Sequence, residues 1–160
     1  METAIDKVET NRTAEVKKRP ALVYLAGLAK SARRSMRVML ATAGCWIADA
    51  IGVHLNGIEA MVGEKRDRAV IEAIPWHRLT YAHVVAVRTG AEELGNSPAT
   101  TNIVLSAIRG TVRAAWRLGL LNAEELVRIE DVGNVKARTE PTGRRIGRGG
   151  PSGDYGLYRY

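Results

Sequence analysis

Phenylalanine is missing from all 160 residues, and aromatic side chains of every kind make up only 5% of the chain. With 46% hydrophobic residues there is still material for one ordinary domain, so its core must come from Leu, Ile, Val, Met, Ala and the three tryptophans. Cys45 is the only cysteine, which excludes an intrachain disulfide. Its neighbours Ala43, Gly44, Trp46 and Ile47 mark it as a small apolar packing residue rather than a nucleophile. No stretch approaches the roughly 18 uncharged apolar residues of a membrane span. The opening METAIDKVETNRTAEVKKRP lacks the apolar run of a secretory leader. A soluble, cytoplasmic protein is expected. Acidic residues are also in deficit: 17 Asp+Glu stand against 24 Lys+Arg, giving a net charge of +7. Such a balance favours a polyanionic partner without separating DNA, RNA and anionic lipid.

The strongest pattern present is residues 97–119, SPATTNIVLSAIRGTVRAAWRLG. Ser97 suits an N-cap and Pro98 the first helical turn, where its missing N–H would be unpaired in any case. At about 100° per residue, Val104, Leu105, Ile108, Val112, Ala115 and Trp116 share one apolar face. Asn102, Ser106, Arg109, Arg113 and Arg117 form a separate polar line. A solvated face is the ordinary account of such a line; a cationic edge free for a partner is the functional one. Gly119 closes the helix.

The other segments also read as helices. A short one around PALVYLAGLA uses Leu22, Leu25 and Leu28, with Tyr24 alongside. A long one, 32–51, is capped by Ser31 and turns Met36, Leu40, Ala43, Ile47 and Ala50 inward. Gly44 lies in its middle, where a glycine costs about 1 kcal/mol relative to alanine; close approach of a neighbouring helix would explain it. Residues 52–76 are harder to assign. Gly57 and Gly63 interrupt them, EKRDR at 64–68 looks like a solvated turn or exposed face, and Ala69–Ile74 forms a short helix ended by Pro75. Thr80 then caps a helix of 81–94 with Val84, Val85 and Leu94 on its apolar side, weakened at Gly90. Asn122 caps a last short helix, AEELVRIEDV, with Glu124 and Glu125 near its positive end. Beyond Gly133 the apolar period is lost and Gly, Pro and Arg dominate. The expected architecture is all-α: a compact bundle of four to five helices over 20–132. A flexible arm at 1–19 precedes it, and a basic linker or tail at 133–160 follows.

The segments PALVYLAGL, SARRSMRVML, IPWHRLTYAHVVAVR and NSPATTNIVLSAIRGTVRAAWRLGLL, in that order, resemble the N-terminal core-binding domain of tyrosine recombinases, the phage-type integrases. The resemblance spans residues 20–148. It implies a SAM-like helical domain lying on one side of a DNA duplex. It matches Arg33, Arg34 and Arg37 to a first helix that approaches backbone and groove, and Thr80 and His83 to the start of a following helix. Ser97, Thr100, Thr101, Asn102, Ser106, Arg109 and Arg113 match the helix that supplies most contacts, and Lys136, Arg138, Arg144 and Arg145 a connector near phosphates. The implied partners are double-stranded DNA and other recombinase protomers on it. The family's catalytic part, with its arginines, histidines and nucleophilic tyrosine, has no counterpart before the chain ends in RGGPSGDYGLYRY, so no strand cleavage is expected.

No other chemistry stands out. Tyr155, Tyr158 and Tyr160 sit in a Gly-rich tail without the fixed cations that phosphodiester transfer requires. His54, His77 and His83 lack metal-ligand spacing with Cys45 or an acidic cluster. His77 and Trp76 read as packing or capping residues. GRRIGRGG lacks the strand, Lys-Ser/Thr and helix of a phosphate-binding loop. No cofactor, metal or small-molecule substrate is expected. Two other function classes remain open: an interaction module acting on a full-length recombinase, and a basic helical RNA-binding protein.

Overall fold

Pro20 can only begin a helix, and in the computed structural model, which describes residues 19–137, it does so. Helix α1 runs Pro20–Ala26. Arg33 of the next helix holds its end: Nη2 donates to the last helical carbonyl, Ala26 O, at 3.0 Å, and Nε to Leu28 O, just past the helix, at 2.9 Å. Helix α2, Lys30–Ile51, begins two residues earlier than its sequence suggests, with Ala29 rather than Ser31 at the cap. Gly52 ends it in the left-handed conformation at φ 71°. Leu40, Ala43 and Ile47 are fully buried along its inner face, whereas Ala50, expected inside, is exposed.

Helix α3, Gly63–Ala73, also begins earlier than expected and absorbs EKRDR into its first turns. It crosses α2 at Gly44, where a β-carbon would stand 2.7 Å from Val70 Cγ1. That contact accounts for the mid-helix glycine. Pro75 breaks α3, and a single 3₁₀ turn, Trp76–Arg78, redirects the chain. Trp76 is buried there and its indole Nε1 donates to Ile71 O at 2.8 Å. Helix α4 spans Tyr81–Glu93. Leu94 stands just past its end and is 71% exposed, so it does not join the apolar face assigned to it.

Helix α5, Pro98–Arg117, is the central rod. It packs against α1, α2, α4, the 3₁₀ turn and the last helix, α6, Ala123–Glu130. Val104, Leu105, Ile108, Val112 and Ala115 are completely buried, as the helical spacing predicts. Each large aliphatic side chain removed from water there contributes about 1.5–3 kcal/mol. Trp116 departs from the pattern: it is 43% exposed, on the margin of the apolar face rather than within it. Gly119 closes α5 at φ 73°, and Asn122 Oδ1 caps α6 by accepting from Glu125 N at 2.8 Å. The described residues are thus all-α, with no strand among them.

Candidate nucleic-acid interface

Positions 102, 109 and 113 are seven and four residues apart, about two turns and one turn, and so fall on one line along α5. The structure brings their side chains together, but against the chain's own residues 130–135. Asn102 Nδ2 donates to Val135 O at 3.0 Å, while its Oδ1 accepts from Val135 N at 2.8 Å. Arg109 Nη1 donates to Asn134 Oδ1 at 2.9 Å, and Nη2 to the carbonyl of Val132. Arg113 directs Nε and Nη2 to Glu130 Oε1 at 2.9 and 2.5 Å. Val132 and Val135 are buried beneath this seam. Residues 133–135, which composition groups with the tail, therefore belong to the folded body.

Charge follows from that packing. Burial lowers the pKa of Arg109 from its usual value, Glu130 opposes the shift, and the neighbouring Arg113 adds to it. The expectation of a cationic edge left free on α5 is corrected at Arg109 and Arg113; Arg117, at the end of the same line, is exposed and makes no ion pair among the described residues. Arg109 and Arg113 hold the departing chain, and Asn102 presents both halves of its amide to the main chain of one residue, Val135.

The remaining α5 candidates divide by exposure. Thr101 is fully buried in the core and cannot meet a partner. Ser97 Oγ caps the helix by accepting from Thr100 N at 3.1 Å, and the two hydroxyls lie 2.9 Å apart. Ser106 is exposed and has no side-chain partner among the described residues. Thr80 and His83 form a reciprocal cap on α4: Thr80 Oγ1 accepts from His83 N, and His83 Nδ1 accepts from Thr80 N at 3.2 Å. With Nδ1 acting as acceptor, the ring proton resides on Nε2. Both residues first organise the helix start. Lys136 is exposed; Arg138, Arg144 and Arg145 lie outside the described residues.

A second group of candidates sits at the beginning of α2. From Pro20 to Ala48 the chain contains no acidic residue, yet Lys30, Arg33, Arg34 and Arg37 fall in two turns. Lys30 and Arg34 are exposed and make no ion pair among the described residues. Arg37 Nη1 meets Glu64 at 3.1 Å, and Arg68 reaches the same carboxylate oxygen at 3.7 Å. Arg68 was not singled out by sequence, because EKRDR read as a solvated segment. Its spacing of four from Glu64 was the available signal, legible once residues 64–68 are known to be helical. Lys65 on the same helix is exposed as well.

Two more contacts escaped the sequence. Tyr24 lays its ring on Gly110, where a β-carbon would lie 2.7 Å from Cζ. The cleft around it is lined by Val23, Gly27, Leu28, Arg113 and Arg117. Cys45 is half-buried rather than enclosed, and its Sγ accepts from Arg66 Nη2 at 3.7 Å. Among the described residues no group of three or more His, Cys, Asp or Glu is placed to hold a metal ion. None of their helices is long and apolar enough to cross a membrane. No family model, curated protein or solved structure matches the chain.

Proposed function

We propose that this chain binds duplex DNA as a cytoplasmic, non-cleaving helical module of the kind its sequence resembles in tyrosine recombinases. The observation that supports it is the acid-free run from Pro20 to Ala48, with Lys30, Arg33, Arg34 and Arg37 gathered on the opening turns of α2. Lys30 and Arg34 stand free there to neutralise phosphates, while Arg33 and Arg37 are held in place by internal partners. On this proposal the duplex lies against the start of α2 and the exposed parts of α4 and α5, with Ser106 and Lys136 at its margin. Asn102, Arg109 and Arg113 act indirectly, by fixing the segment that leaves the domain. Contacts of this type position the protein on the backbone more than they read sequence. A single module buries about 600–1,000 Å² on DNA, which favours weak, salt-dependent binding.

The test is fluorescence anisotropy of a labelled duplex, titrated between low and moderate salt, with the chain and its Lys30→Glu/Arg34→Glu variant. Expected are affinity that falls steeply with salt and a loss of at least tenfold, on the order of 1.4 kcal/mol, in the variant. Affinity indifferent to both salt and charge reversal would refute the proposal. Tighter binding to structured RNA than to duplex would transfer it to the RNA-binding class. A protein-interaction reading draws on a different feature, the largely apolar cleft between α2 and α4 lined by Trp46, Ala50, Ala86, Val87, Gly90 and the exposed Leu94, with Asp49 its one charged residue. Leu94→Asp would damage that activity and leave duplex binding unchanged.

A further inference from the structure

Helices α1, α2 and α3 meet at a cleft of about 180 Å³, lined by Leu22, Leu25, Arg33, Arg37, Arg68 and Ile71. Its composition is unusual: an apolar floor carries three guanidinium-bearing side chains. Helical spacing explains how they converge, since Arg33 and Arg37 stack one turn apart on α2 and Arg68 faces them from α3. Arg33 is held in orientation by the carbonyls of Leu28 and Ala26. Arg37 has 22% of its side chain exposed, and its Nε is shielded from solvent without a hydrogen-bond partner among the described residues. Arg68 completes the rim, 63% exposed.

Only one carboxylate enters this group. Glu64 Oε1 lies 3.1 Å from Arg37 and 3.7 Å from Arg68, so these two cations share one anion, and Arg33 adds a third positive charge with no carboxylate partner among the described residues. Two other acids of α3 meet other partners: Glu72 pairs with Arg19 at 3.1 Å, and Asp67 lies 4.0 Å from Arg66. A shielded, unpaired guanidinium N–H beside surplus positive charge costs free energy unless an acceptor arrives. Three donors coming from separate helical positions do not share a plane. They suit a tetrahedral group with several oxygens better than a second planar carboxylate.

We infer that the cleft between α1, α2 and α3 is an oxyanion site that takes a phosphate group on Arg33, Arg37 and Arg68, displacing Glu64. Glu64 serves as the internal competitor: one of its oxygens occupies the space that a phosphate oxygen takes on binding. A small phosphate ester and a nucleic-acid backbone present the same chemistry to the cleft. The site does not depend on the duplex proposal, and its test begins with inorganic phosphate alone.

The full chain is titrated with inorganic phosphate at constant ionic strength while the arginine Nε–Hε resonances are followed by NMR. The Arg33 and Arg37 signals should shift and saturate. Arg68→Ala, at an exposed position that folding tolerates, should weaken phosphate binding at least tenfold. Glu64→Gln should tighten it, whereas Arg128→Ala on α6 should leave it unchanged. Shifts that grow linearly without saturation, or an Arg68→Ala variant that binds as well as the parent, would overturn the site. Repeating the titration with duplex DNA present identifies the source. If duplex competes with phosphate, the backbone is the ligand; if phosphate saturates while duplex does not compete, a small phosphate ester is. Saturable phosphate binding without any duplex binding would sink the duplex proposal and leave this site standing.

Discussion

Asn102 and Val135 are joined by a two-way hydrogen bond across 33 positions of sequence, the side-chain amide of one pairing with both main-chain groups of the other. Val135 is 8% exposed, so truncating Asn102 leaves its N–H and carbonyl without their partner at a largely shielded position. Leaving buried polar groups unpaired costs about 1–3 kcal/mol. Asn102→Ala is therefore expected to lower unfolding free energy by about that amount, measured by urea denaturation. Amide exchange at Val135 should accelerate selectively. A variant with parental stability and a still-protected Val135 amide would show that the chain leaving α6 is held by other contacts.

The ion pair on the same seam should matter less. Arg113 and Glu130 approach to 2.5 Å, but their side chains remain 46% and 34% exposed. Exposed pairs are worth about 0.2–1 kcal/mol and weaken with salt. Glu130→Gln should accordingly cost less than Asn102→Ala, and the difference from the parent should shrink at high ionic strength. A larger loss from Glu130→Gln than from Asn102→Ala would reverse the ranking and make charge the main fastener of this segment.

Helix α5 was legible because its apolar spacing is long and regular: Val104, Leu105, Ile108, Val112 and Ala115 occupy the buried positions that arithmetic assigns. The caps at Thr80, Ser97 and Asn122 were equally local, each set by a side chain and a backbone N–H three residues on. What periodicity cannot reveal is what covers a polar face. The line through Asn102, Arg109 and Arg113 looks the same whether it meets solvent, a duplex or the chain's own residues 130–135. The Arg33–Arg37–Arg68 cleft is hidden for a similar reason, since it requires the packing of α3 on α2. Trp116 and Leu94 failed as core residues because a wide apolar stripe has margins, and neither lies at its centre.

Two mid-helix glycines should respond oppositely to one added methyl group. At Gly44 a β-carbon meets Val70 Cγ1 at 2.7 Å and Ile74 Cγ1 at 3.3 Å; at Gly90 it meets nothing within 4 Å. Alanine gains about 1 kcal/mol in helix propensity at either site, but overpacking at the first costs about 1–3 kcal/mol. Gly90→Ala should raise the thermal midpoint, and Gly44→Ala should lower it. Adding Val70→Ala to Gly44→Ala should recover stability beyond the sum of the single changes. Stabilisation by Gly44→Ala would mean that α2 and α3 do not approach so closely.

Tyr24 gives the chain an alkaline limit. Burial of its phenol against α5 raises the pKa from 10.0, with Arg113 nearby opposing the shift by favouring the phenolate. A native pKa above the unfolded value means that the folded state holds the phenolic proton more tightly. The resulting stabilisation is complete below about pH 10, the unfolded value. It declines as pH rises from there through the raised native pKa. Thermal midpoints of the parent should therefore fall faster than those of Tyr24→Phe above about pH 10, while the two remain parallel at neutral pH. Phenylalanine keeps the ring on Gly110 and removes only the ionisation, so other groups that titrate in this range cancel in the comparison. Curves that stay parallel to the highest pH tested would place the phenol in water and count against its packing between α1 and α5.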